Sequence, residues 1–152
     1  MARMKKQLFL FCLPLTLVFC DIRRKTKIMD DAAYANEKQL EMAMKDTTSV
    51  LVTDTLYNFG TIKEGDIVEH NFSFKNTGSK PLVFPQDPIA SCGCTVPSKP
   101  EKPVMPGDTA FIKVVFNSKG KSYHVVKTVT VISNAYPSFP KLILTGDINK
   151  SE

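Results

Sequence analysis

Arginine does not occur after position 24, and the 152 residues hold only two histidines and four cysteines. No Gly-rich phosphate loop, Ser nucleophile elbow or His-Glu metalloprotease signature is present, which removes the common nucleotide, acyl-transfer and zinc-hydrolase chemistries. No Cys-x-x-Cys helix start occurs and no base accompanies a cysteine, so a catalytic thiol is not expected either. Most of the acidic residues, among them Asp54, Glu64, Asp66, Glu69, Asp87 and Asp108, fall at turns or on outward strand positions, where a solvated carboxylate is the default reading. The sequence is therefore read as non-enzymatic and without a cofactor. It also lacks the footprint of nucleic-acid recognition, because the ten lysines between 50 and 149 are scattered and no aromatic residues interleave a basic patch.

What is present begins with Arg3, Lys5 and Lys6 ahead of an apolar stretch, Leu8 to Phe19, broken by Pro14. A bilayer crossing takes ~20 apolar residues, so this shorter run reads as a secretory signal over residues 1–19. Leu17-Val18-Phe19-Cys20 resembles a bacterial lipobox, which implies acylation of Cys20 and a membrane anchor. Phe19 is bulkier than such motifs favour, and an uncleaved or differently cleaved segment is the alternative. Without residues 1–19 the chain keeps seventeen basic and fifteen acidic residues, a charge of +2. Arg23, Arg24, Lys25 and Lys27 either add a weak contact with anionic headgroups or form a solvated tether. Residues 20–49 read as a lipid-anchored linker with a marginal helix capped by Asp30 or Asp31 and carrying Ala33, Leu40 and Met44.

Period-two patterning starts near Val50. Val68, His70, Phe72 and Phe74 alternate with Glu69, Asn71, Ser73 and Lys75. Ala110, Ile112, Val114 and Phe116 define a second inward face, Val125, Val129 and Val131 a third, and Leu142 and Leu144 a last. Asn76-Thr77-Gly78 turns the chain into Lys80 to Phe84, whose prolines make that strand short or an edge. The expected fold is all-β: an immunoglobulin-like antiparallel β-sandwich of about seven strands over residues 50–149. Pro97 to Pro106 reads as a loop within it.

The ordered set Tyr57-Asn58-Phe59-Gly60-Thr61-Ile62, Phe72 to Gly78, Ser91-Cys92-Gly93-Cys94-Thr95-Val96-Pro97, Met105-Pro106-Gly107 and Ser133-Asn134 resembles an uncharacterised bacterial envelope family with hydin-like immunoglobulin folds. The resemblance covers nearly the whole domain. It implies a seven-stranded sandwich in exported proteins, often lipoproteins, with no established enzymatic activity and no stated substrate.

Cys92, Gly93 and Cys94 form the candidate redox or partner site. A disulfide between residues two apart closes so small a ring that it is a weak staple and is expected to reduce easily, with Gly93 allowing the sharp fold. Two thiolates could instead hold copper(I), although His70, on a core-facing parity, and His124, on a solvent-facing one, are the sole further nitrogen donors, so no metal site is assigned. The third reading is a pair of small side chains packed at a turn. The leading functional expectation is a non-catalytic lipoprotein of the cell envelope, periplasmic or facing the outer membrane, presenting its domain to an unknown envelope protein. A redox-active or copper(I)-handling protein is the alternative. Candidate surfaces are the Cys92 to Pro106 loop and the edge after Pro81.

Overall fold

The computed structural model describes residues 36–150. The signal segment 1–19, Cys20, the basic cluster 23–27 and the expected cap at Asp30 or Asp31 lie outside the described residues. Two units divide the chain, Met1–Gln39 and Leu40–Glu152. Of the first unit the described residues are 36–39, which are helical; in the second, the helical backbone runs from its start at Leu40 to residue 45. Glu41 and Lys45 pair at 3.4 Å one turn apart, an i,i+4 contact that the sequence reading did not count. Among the described residues no helix is long and apolar enough to cross a membrane.

The described residues of the second unit form eight strands: β1 Val50–Val52, β2 Leu56–Lys63, β3 Ile67–Asn76, β4 Ile89–Ala90, β5 Thr95–Ser98, β6 Thr109–Asn117, β7 Tyr123–Thr130 and β8 Leu142–Asn149. They form two four-stranded sheets, ordered β1-β3-β6-β5 and β2-β8-β7-β4. Period two does what the sequence promised. Phe72, Ile112, Val114 and Phe116 from one sheet meet Val129, Leu142 and Leu144 from the other, all wholly buried. Phe74, Phe84 and Phe139 pack edge to face, with centroids 5.2 to 6.3 Å apart.

The expected all-antiparallel sandwich is refined in three places. β2 pairs with β8 in parallel, because residues 53–55 carry the chain from the sheet of β1 into the sheet of β8. Relative strand direction across some eighty residues leaves no trace in local periodicity. Lys80 to Phe84 is not a strand: Leu82 makes one isolated bridge with Val104, although Leu82, Val83 and Phe84 are all buried. The proline-rich segment opens with β5, which pairs with β6 despite Pro97. A proline is tolerated there because β5 is an edge strand and a missing N–H can face outward.

Two asparagines close the loops over this core. Asn76 is fully buried; its Oδ1 accepts from the Thr48 hydroxyl at 2.9 Å and its Nδ2 donates to the carbonyls of Lys80 and Val104. Asn134 accepts from Val83 N–H and donates to Pro81 and Asp46. Among the described residues no buried side-chain nitrogen or oxygen lacks a hydrogen-bond partner.

Candidate functional site

Short β4 belongs to one sheet and β5 to the other, so the residues between them, Ser91 to Cys94, are the crossing itself. Hydrogen bonds fix both ends. Ser91 N–H donates to Thr128 on β7 at 2.9 Å, and Asn117 N–H at the end of β6 donates to Cys94 O at 2.9 Å. Within the crossing, Cys92 and Cys94 form a disulfide with Cα atoms 5.3 Å apart. Of the three readings of the pair, the bonded one is what the structure contains, and in that state neither sulfur is a thiolate ligand. Both cysteines are half-buried. Cys94 also packs against the edge of the core.

Gly93 is not demanded by the ring. Its φ lies outside the left-handed region, and a Cβ built there meets nothing within 4 Å. The glycine instead keeps the wall of an adjoining groove low. That groove, about 520 Å³, is lined by Ile67, Gly93, Cys94, Val96, Val115, Asn117 and Lys119. Register explains the assembly: Val96 is paired with Val115 and Ile67 with Asn117, so residues from β5, β6 and β3 stand together on the outer face of one sheet. Ile67 is 62% exposed and Val96 64%, so this apolar strip faces solvent beside the disulfide. The sequence reading did not single out Ile67, Val96 and Val115. Their only signal was apolar identity at outward-phase positions, one in each of three separated strands.

Face, rather than edge, is what this region offers a partner. Because Cys94 O pairs with β6, alternation along an antiparallel ladder turns the backbone of Thr95 and Pro97 outward. Thr95 N–H is taken by Cys92 O at 3.2 Å and Pro97 has none, so this stretch of edge presents no donor for strand addition. The edge after Pro81 is likewise occupied: Leu82 exchanges two backbone hydrogen bonds with Val104, and Val83 N–H is held by Asn134.

The histidines stand elsewhere. His70 is on the core-facing side of β3, as its parity implies, stacked on Tyr57 at 3.9 Å and paired with Asp54 at 2.5 Å. His124 is exposed and bonded to Asp147 and Thr145. Neither joins the cysteines, and among the described residues no group of three His, Cys, Asp or Glu side chains is arranged to hold a metal ion.

The two packed four-stranded sheets define an immunoglobulin-like β-sandwich domain. By sequence the chain belongs to the family described as "Protein of unknown function (DUF1573)", whose model matches residues 50–148. Its fold is similar to that of a protein of unknown function from Porphyromonas gingivalis W83, with a TM-score of 0.57 at 13% identity over 67% of this chain. The chain spans about half the length of that protein, 47%. It is also similar to PapD-like domain 7 of human CEP192, with a TM-score of 0.52 at 13% identity over 69% of this chain and 88% of that one. No curated protein matches the sequence.

Proposed function

We propose that this protein is a non-catalytic lipoprotein of the cell envelope whose sandwich domain binds a protein partner on the groove beside Cys92 and Cys94. The observation that carries this reading is the pair of exposed apolar side chains Ile67 and Val96, with the half-buried Val115 in the same groove, beside a covalently closed crossing. Apolar side chains exposed together in a concave site are a candidate surface for an interaction. The basic start, the apolar stretch to Phe19 and Cys20 support export and lipid anchoring, and residues 20–49 would hold the domain away from the membrane.

Two measurements test it. An intact mass of protein extracted from its own membrane should begin at an acylated Cys20; an unlipidated product removes the anchor. Val96→Asp combined with Val115→Asp should abolish a complex that survives gentle extraction while the domain stays folded, the new charge at 115 opposite Glu69 costing about 1 kcal/mol in urea unfolding. A complex indifferent to both charges would sink the surface. The redox reading is favoured by one observation, that Cys94 lies in the groove wall rather than under the core. The two part company in a Cys92→Ser, Cys94→Ser variant, which should still dock its partner non-covalently on the groove under the binding reading and lose function under the redox one.

A further inference from the structure

Resting on the groove as a binding surface, the chemistry of its wall specifies what the partner brings. Cys94 lines the groove and Cys92 does not, so a group seated in the groove lies against Cys94. Cys92 Sγ lies 3.6 Å from Thr95 Oγ1. A sulfur in a disulfide carries no proton, so the Thr95 hydroxyl is the donor, already aimed at Cys92. Thr95 is itself buried, 4% exposed, which holds that hydroxyl in place. Lys119 is the one charged side chain among the residues lining the groove, and its sign suits an anion.

We infer that the groove captures a partner covalently, by thiol–disulfide exchange in which a cysteine thiolate of the partner attacks Cys94 and Cys92 is the leaving thiolate. The partner's sulfur forms a bond to Cys94 Sγ as the Cys92–Cys94 bond breaks. The electron pair of that bond departs on Cys92 Sγ, where the Thr95 hydroxyl stabilises it, so the partner sulfur is oxidised and Cys92 reduced with no further reactant. Lys119 favours the attacking group as thiolate, the nucleophilic form. Return attack of Cys92 on Cys94 expels the partner and restores the ring, so the link is reversible. The occupant is thus a segment with a free cysteine among apolar residues.

Reduced glutathione is the probe. Full-length protein is exposed to it, quenched with N-ethylmaleimide at early times, and each cysteine is assigned by fragmentation mass spectrometry. Glutathione is expected on Cys94 and maleimide on Cys92 with a preference of roughly tenfold, and Thr95→Val should slow capture by a similar factor, with Thr95→Ser restoring it. Lys119→Gln should slow it about threefold and flatten its dependence on salt. Equal labelling, a preference for Cys92, or a native disulfide inert to glutathione would overturn the exchange. If regioselectivity holds while the Val96→Asp, Val115→Asp variant keeps its partner, the surface reading fails and the exchange stands. If that variant loses its partner while glutathione does not discriminate, the exchange fails and the surface stands.

Discussion

Asn134 donates through Nδ2 to the backbone carbonyl of Asp46 at 2.7 Å, across 88 positions of sequence. The same amide reaches Pro81 O at 2.9 Å, and its Oδ1 receives Val83 N–H at 2.9 Å. One side chain therefore joins the segment entering β1, the loop after β3 and the loop after β7.

Removing it should cost more than one hydrogen bond, because four backbone groups, Val83 N–H and the carbonyls of Ala43, Asp46 and Pro81, lose a partner together. Asn134→Ala is expected to lower stability by about 3 kcal/mol, since each stranded buried polar group costs about 1 to 3 kcal/mol. Asn134→Asp should not rescue it, because a carboxylate cannot donate to the three carbonyls. Urea unfolding measures both; a loss under about 1 kcal/mol for the alanine variant would mean that water replaces the amide without penalty.

A second expectation concerns the parallel pair. β2 carries an irregularity between Asn58 and Thr61, and there the ring of Phe59 lies directly over Gly146 of β8. An added Cβ at Gly146 would collide with Phe59 and approach Gly60 O to 2.6 Å. Gly146→Ala should destabilise by at least about 2 kcal/mol as an overpacked site. Combining it with Phe59→Ala should cost clearly less than the two separate losses added, and additivity in thermal or urea unfolding would contradict the contact.

The outcome is different for the disulfide. Its ring spans a sequence separation of two, so it removes little freedom from the unfolded chain, about 1.5 kcal/mol on the loop-entropy scale against about 3 for a fifteen-residue loop. Cys92→Ser with Cys94→Ser should therefore lower stability by only about 1 to 2 kcal/mol. A loss of the size usual for structural disulfides, about 4 kcal/mol or more, would assign the pair a folding role instead.

What local patterning could reveal, it did. Val68, Phe72 and Phe74 on β3, and Ile112, Val114 and Phe116 on β6, take the faces that their spacing implies, because a half-buried strand writes its burial into alternate positions. Asn76-Thr77-Gly78 was legible as a turn, yet nothing local signals that Asn76 is wholly buried and bonded to Thr48 and Val104, each 28 positions away. The cysteines were legible as a pair able to bond across Gly93; the groove beside them was not. It exists only once the β3–β6 and β5–β6 registers set Ile67 by Asn117 and Val96 by Val115.

Gly93 separates the ring from the surface. Because its backbone is compatible with any residue and its Cβ direction is open, Gly93→Val should leave the disulfide formed and the urea midpoint within about 0.5 kcal/mol of the parent, as for most surface changes. It should nonetheless weaken partner binding by narrowing the groove. Equal loss of folding and binding would show that the ring does need glycine.

The most direct test places a photo-crosslinking side chain at position 96 in the groove and, as a control, at position 124 on β7 in the other sheet, whose exposed histidine bonds to its neighbour Asp147 on β8. Irradiation in intact cells should give one adduct of fixed mass from position 96, none of that mass from position 124, and loss of the adduct when Val115→Asp is added. An adduct formed equally from both positions, or none from position 96, would contradict the assignment of this face as the binding surface.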